Sequence, residues 1–516
     1  MGQRLCALFT ALAAAGAVSA AEWDPIARLT LGTILTDNVR LGGAGAVGGV
    51  GVAPTGNTQS DLIFTTNPTI GLRGQSGRTN VNVLYSPVIR GYLNESVPDT
   101  LVNNLNGTGR FEAVENFLFI DANARITQTE ISPFGGVAND PALINANRTE
   151  ARSIGLIPNI RGRFVDGGQY TVRHALQYTT FSQGAFSESL SNATSANASG
   201  APGRFVIPSL DYRHLTNDLA GTRVTTSDFI RARATFQVDG TFQPFVQAGY
   251  EDNRFRNSER SGTTYGTGFQ WRPSPRTQLA ANLEKRFFGW SYLVNGSHRM
   301  GLSSLNLRAS RAEQLLPGVA GITTVQSDTR DLLDQALQSR IPDDALRAQE
   351  VERLVQQGGL PDTTGVPVSA LSSRVTLVDT IAPSIAVTRQ RTTGTFGLLW
   401  SRSKALTESQ IAGAPDAFST SNVIERQGFN LSVSHRMTPI VSLSGTMSYT
   451  ETYAPTSVAG QPDRRTEQTI YRVSLSRSLT PRTSLSGSVR YQTFSSNTGP
   501  GFEERALIAN LTHSFF

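Results

Sequence analysis

Cysteine is almost absent from this chain of 516 residues. Its one thiol, Cys6, falls in an amino-terminal targeting segment, so the mature chain has no thiol ligand, disulfide or cysteine nucleophile. Charge is also sparse. Asp, Glu, Lys and Arg make up 17% of residues against about 25% in ordinary soluble domains, which disfavours a charged helical enzyme. Past residue 20 no apolar run approaches the roughly 18 residues that a spanning helix needs, so a helical membrane protein is excluded.

Catalytic and cofactor signals are equally thin. The five histidines, His174, His214, His298, His435 and His513, have no metal-ligand spacing, and no Gly-x-Ser-x-Gly elbow stands out. Asp211 with His214 is the one neighbouring pair of the kind that outer-membrane hydrolases place near their rim, and it reads as a solvated loop pair. The stretch Gly43-Ala44-Gly45-Ala46-Val47-Gly48 matches the dinucleotide fingerprint formally, but no helix follows to receive a pyrophosphate on its amides. The chain is therefore read as a non-enzyme without cofactor or metal.

What is present begins with a leader. Arg4, an apolar stretch over 5–17 and the small residues Val18-Ser19-Ala20 form a secretory signal peptide over 1–20, leaving 21–516 as the exported body. That body alternates apolar and polar residues in segments of about 10–16, which is the signature of a transmembrane antiparallel up-and-down β-barrel. In 117–127 the residues Leu118, Ile120, Ala122, Ala124 and Ile126 fall on one face, and Asp121, Asn123, Arg125 and Thr127 on the other. In 440–449 Val441, Leu443, Gly445, Met447 and Tyr449 oppose Ser442, Ser444, Thr446 and Ser448.

About twenty such segments are expected, within 18–22, and an even number suits a bacterial single-chain barrel. Connections alternate between tight turns, such as Thr438-Pro439 and Thr480-Pro481, and longer loops. With the amino terminus inside, the loops 39–59, 132–148, 184–222 and 313–375 fall outside the cell. Residues 431–449 and 473–491 match at an offset of 42, each with Thr-Pro then Ser-Leu-Ser-Gly, so the hairpin unit repeats. Tyr449 and Tyr491 are placed in the outer aromatic girdle. The stretch 327–357 carries Leu332, Leu333, Ala336, Leu337, Leu346, Val351, Leu354 and Val355 at helical spacing, which predicts two short helices in the 313–375 loop with their apolar stripe against the barrel mouth. Residues 42–58 and 184–203 are rich in small residues and are expected to be mobile.

Lysine occurs only at Lys285 and Lys404, so 46 − 2 leaves 44 arginines in a chain of net charge +6. Alternation turns Arg73, Arg90, Arg125, Arg161, Arg231, Arg233, Arg299, Arg308 and Arg490 toward the lumen. Guanidinium forks match carboxylates and phosphates, so an anion-lined pore is one reading. Two others stay open: a GC-rich genome that favours arginine, and ladders in which Asp121, Glu251 and Glu284 neutralise these arginines. No basic cluster alternates with stacking aromatics, so nucleic-acid binding is not expected.

The stretches Leu35-Thr36-Asp37-Asn38-Val39-Arg40-Leu41, Asn67-Pro68-Thr69-Ile70-Gly71-Leu72-Arg73-Gly74, Glu115-Asn116-Phe117-Leu118-Phe119-Ile120-Asp121-Ala122, Ile131-Ser132-Pro133-Phe134-Gly135 and Arg286-Phe287-Phe288-Gly289 resemble segments of the outer-membrane β-barrel family associated with PEP-CTERM protein sorting and exopolysaccharide loci. The resemblance implies a barrel in the outer membrane of a Gram-negative bacterium that supports exopolysaccharide export or surface assembly in biofilm formation, as conduit or scaffold. It supplies no catalytic residues. A general or anion-preferring porin for small solutes is the alternative. The chain end resembles the aromatic signal read by the outer-membrane insertion machinery, carried by Leu511, Phe515 and Phe516. The expected partners are membrane lipid, that machinery, and exopolysaccharide or periplasmic export components, around a monomeric barrel.

Overall fold

In the computed structural model the described residues are 22–515, apart from 42–57, 95–97, 138–139, 141–142, 144–146, 185–186, 221, 316–326, 339, 357–359, 361–362, 365–370, 410–415 and 458–459. The leader and the Gly43–Gly48 stretch lie outside the described residues. Antiparallel pairing runs from Glu22–Thr36 through to Phe502–Ser514, and the ladder between Arg28↔Ser514 and Thr36↔Ala506 closes the sheet on itself. Two strands are each interrupted once, between Tyr85 and Val88 and between Val102 and Leu105, so 24 hydrogen-bonded segments make 22 strands. Pro87, which has no N–H to give the ladder, lies in the first interruption.

The faces follow from the two-residue period. Leu31, Ile70, Leu156, Ile230, Val473 and Leu507 stand exposed on the outer face. Their strand neighbours of opposite parity, such as Thr36, Asn159, Ser444 and Glu504, turn inward and are buried. A closed barrel with an apolar exterior and a polar interior has its solvent relations inverted, which is stable only in lipid. Tyr449 stacks on Phe429 and Tyr471 on Tyr491 on this outer face, with ring centroids 6.0 Å and 6.4 Å apart. Glu22 and Ser514, the outermost residues of the first and last strands, lie at the rim of tight turns, including 76–78, 439–440 and 481–482, and the strand ends that open into the long connections lie at the opposite rim.

The region 184–222 departs from the expectation of an outer loop that is mobile over 184–203. It holds two further strands, Glu188–Ser199 and Val206–Leu219, paired with each other and with Gln169–Phe181 and Thr222–Phe236. The outer face of the first of these strands carries Asn192, Thr194, Ala196 and Ala198, so apolar alternation is nearly erased there. Because two strands were hidden rather than one, every later strand keeps its expected direction. Leu210 is exposed on the outer face of the second strand. Leu210→Arg is therefore expected to destabilise the barrel by about 2–4 kcal/mol in urea unfolding from lipid vesicles. A change within about 0.5 kcal/mol, as for a surface loop, would remove this strand from the membrane.

Candidate functional site

The lumen is lined by arginine because inward positions recur every second residue on strands rich in that residue. All nine predicted arginines lie on the inner face, opposite outward residues such as Leu72, Ile230, Leu307 and Val489. They are not equivalent. Arg231 reaches Asp211 at 3.2 Å and Glu284 at 3.5 Å, and Arg233 donates to Gln247 Oε1 at 2.9 Å while lying over the Phe245 ring. Arg161 lies over Phe119 with its Nε on Asn159. Arg73, Arg125 and Arg308 make no ion pair among the described residues.

The three acids proposed as ladder partners do pair, but mostly with other arginines. Asp121 takes two hydrogen bonds from Arg110, and Glu251 is bound by Arg286, which also holds Glu313 at 2.8 Å. Among the described residues Glu284 forms an ion pair with Arg231 of the predicted set, and Asp121 is linked to Arg161 through Asn159. Arg286 was legible in principle, since it shares parity with Glu284 on Thr277–Arg286.

The helical part of the 313–375 connection does not rest at the outer mouth, where Leu371 of the same connection packs with Phe181 and Leu219. Its two helices, Thr329–Leu337 and Asp344–Gln356, sit inside the barrel near the periplasmic turns. Leu332, Leu333, Ala336 and Leu337 pack against Val351, Leu354 and Val355 of the second helix, and this core closes on Ala386 of the lumenal wall. The helices have the predicted spacing; their depth is the correction. Three contacts fix it. Ser304 Oγ donates to the Leu332 carbonyl at 2.7 Å, Arg299 donates to Gln338, and Arg340 donates to the carbonyl of Arg389 in the periplasmic turn. Ser304 and Arg299 both lie at the periplasmic ends of their strands.

Between the second helix and that rim lies a cavity of about 40 Å³ bordered by Arg340, Arg353, Arg389, Arg391 and Arg436, with Glu350 among them. Glu350 is held by Arg353 through two hydrogen bonds of 2.7 and 2.6 Å. Those bonds, with Arg436 and Arg340 nearby, hold its carboxyl below the usual carboxylate range.

At the outer mouth described residues of a second loop, among them Pro133, Val137 and Asp140, reach the lumenal wall. Arg426 donates to the Pro133 carbonyl at 3.3 Å, Gln468 exchanges two hydrogen bonds with the backbone of Val137, and Arg490 donates to Asp140 at 2.8 Å. Phe134 is buried with Ala417, Phe418 and Ala454, and Arg464 lies over its ring at 4.0 Å. Loop glycines make this fit possible: a Cβ on Gly136 would stand 2.6 Å from the Phe502 ring.

Asp211 and His214 do not form a pair. They are an odd number of residues apart on one strand, so Asp211 turns inward to Arg231 and Asn197 while His214 turns outward to Asp228 at 2.8 Å. His174, His298, His435 and His513 each bond a threonine of the neighbouring strand at 2.8–2.9 Å. Leu511 and Phe515 are exposed on the outer face, and Phe516 lies outside the described residues.

The chain is a β-barrel protein of the outer-membrane type. Comparison with protein-family models and with curated proteins gave no match. Among solved structures it is similar to the siderophore receptor PirA of Acinetobacter baumannii, at 7% identity over 95% of this chain and 80% of that one, with a TM-score of 0.47. It is also similar to OpdO of Pseudomonas aeruginosa, at 12% identity over 96% and 98% with a TM-score of 0.32. The outer membrane protein OpdK of Pseudomonas aeruginosa aligns at 9% identity over 95% and 99%, with a TM-score of 0.32.

Proposed function

We propose that this barrel conducts small anionic solutes across the outer membrane, through the arginine-lined space beside its inserted loops. One observation carries the reading: Arg125 and Arg308 project into the lumen with no acidic partner among the described residues, and Arg73, opposite Asp24 in the ladder, makes no ion pair there. A structural ladder would neutralise such groups, whereas unneutralised guanidinium in a confined polar channel raises the local concentration of anions. The inserted helices lean on the wall from Gly289–Arg299 round to Val441–Ala454, and Arg73 and Arg125 stand on the wall away from them. Reversal potentials across a KCl gradient in planar bilayers test this. Anion preference is expected, reduced severalfold by combining Arg73→Gln, Arg125→Gln and Arg308→Gln. Cation preference in the wild-type channel would sink the proposal.

The second reading is support of exopolysaccharide export, and it rests on the segments that resemble the PEP-CTERM-associated barrels. One of them, Ile131-Ser132-Pro133-Phe134-Gly135, begins the loop that reaches the lumenal wall at the outer mouth, so a polymer would need that loop to withdraw. Polysaccharide measured outside the cell and in the periplasm after gene deletion separates the readings. Loss outside with periplasmic accumulation supports export, and unchanged levels in both places leave the solute channel. We assign Leu511 and Phe515 to recognition by the insertion machinery, with Phe516 beyond them. Phe515→Ala is expected to lower the amount of folded barrel in the outer membrane without changing its conductance.

A further inference from the structure

The cavity between the second helix and the periplasmic rim is unbalanced in charge. Among the described residues that border it, Glu350 is the one acid against the arginines Arg340, Arg353, Arg389, Arg391 and Arg436. Glu350 is taken up by Arg353. Arg340 spends one N–H on the carbonyl of Arg389 and Arg436 spends one on the carbonyl of Gln390, while the side chains of Arg389 and Arg391 make no ion pair or hydrogen bond among the described residues. The neighbouring acids are engaged elsewhere. Asp334 and Asp344 hold Arg347, Glu352 holds Arg330, Asp343 caps the second helix at the Leu346 N–H, and Asp331 does not border the cavity. On the wall strands Asp379, Glu425 and Glu451 lie toward the outer ends, each about 30 Å of strand from the cavity residues Thr388, Ser434 and Ser442.

The wall side of the cavity supplies hydroxyl donors. Thr393 and Ser434 are each 4% exposed and stand directly opposite one another in the ladder, yet neither hydroxyl has a hydrogen-bond partner among the described residues. Both line the cavity, with Thr388 opposite Thr393 on its other side and Ser442 opposite Arg436. A buried hydroxyl without a partner is costly, and the space these two face is the cavity. Its size is informative as well. A single buried water needs about 10–15 Å³. A cavity of about 40 Å³ therefore admits about three or four water-sized groups, which matches one phosphate with its oxygens and is too small for a sugar ring.

We propose that this cavity is a phosphate site at the periplasmic end of the lumen, taking the phosphoryl group of inorganic phosphate or of a phosphomonoester. Arg340, Arg389, Arg391 and Arg436 face its charge, and the Thr393 and Ser434 hydroxyls donate to its oxygens. A tetrahedral dianion offers more acceptors than a carboxylate, which suits donors that arrive from the helix on one side and from the wall and its turn on the other. This deepens the anion-channel reading by naming its solute class and rests on that reading for its physiological meaning, but binding is measurable without transport.

The test is isothermal titration calorimetry of inorganic phosphate into the full-length barrel in phosphate-free micelles of a non-ionic detergent. Saturable binding is expected for the wild type, and glycerol 3-phosphate should bind at the same site. Arg389→Gln with Arg391→Gln should abolish it while keeping the backbone carbonyls that hold Arg340 and Arg436. Thr393→Val with Ser434→Ala changes no charge and should weaken binding about tenfold, as the loss of hydrogen bonds to an ionised group does. Heat-modifiable migration on gels confirms that each variant is folded. No binding to the wild type, or undiminished binding in either double variant, overturns the site. Phosphatidylglycerol added to the micelles separates the two sources of a phosphoryl group: phosphate binding that it leaves unchanged supports a soluble solute, and competition overturns that identity in favour of a lipid headgroup. A barrel that binds phosphate in this pattern yet prefers cations in bilayers would keep the site and sink the channel.

Discussion

Replacing residues 327–364 with a short Gly-Ser linker is expected to raise single-channel conductance severalfold, the largest change any alteration of this chain should produce. A 22-strand barrel encloses more than the 16–18 strands that already leave an aqueous channel, so its conductance is limited by what fills it. Near the periplasmic rim that filling is the helix pair, seated on Ser304, Arg299 and Ala386. The deletion removes no barrel strand, so folding and heat-modifiable migration should be retained. Unchanged conductance in a folded deletion variant would place the constriction elsewhere, at the 131–147 loop.

Acid should produce a smaller effect of the same sign. Arg353 depresses the Glu350 carboxyl below its ordinary value of 4.5, so the pair contributes stability above that value and loses it as pH falls through the depressed one. Conductance is then expected to rise reversibly as pH falls below the ordinary carboxylate value and through the depressed one, and Glu350→Gln should remove that step.

Glu504→Ala is expected to cost about 3–5 kcal/mol of barrel stability, because it strands the buried Arg490 guanidinium with two of its three hydrogen-bonding nitrogens unpaired. Both side chains of this pair are fully buried, unlike the exposed ion pairs along the outer rim such as Arg402 with Glu425. Replacing both partners at once, as Arg490→Met with Glu504→Leu, should recover most of the loss, since neither charge is then left alone. Urea unfolding from lipid vesicles reads both variants. A loss below about 1 kcal/mol for Glu504→Ala would mean that lumenal water screens the pair as at an exposed surface.

Several features of the barrel were legible in the residues alone. A two-residue period is a local property, so 117–127 and 440–449 reveal their inner and outer faces without any knowledge of neighbouring strands. The same parity puts Arg73, Arg308 and Arg490 on the inner side. The helical spacing of Leu332, Leu333, Ala336 and Leu337 belongs to the same class of signal. Where the outer face lost its apolar residues, at Asn192 and Thr194, the local signal vanished and the strand Glu188–Ser199 went unread; only its two neighbours, pairing along its whole length, establish it.

Partnership, by contrast, is not a local property. Asp140 meets Arg490 across 350 residues, Val137 meets Gln468 across 331, and Gln338 meets Arg299 deep in the lumen rather than outside the cell. Alternation determines which way a strand residue points, but a loop with polar and apolar residues alike fits an outer rim or an inner wall. The choice is made by what the closed barrel offers: buried serine, alanine and arginine groups whose hydrogen bonds and contacts only an inserted loop can complete. The sequence by itself therefore determined a membrane barrel with an arginine-rich interior, and the tertiary structure decided what fills that interior and which arginines remain unneutralised.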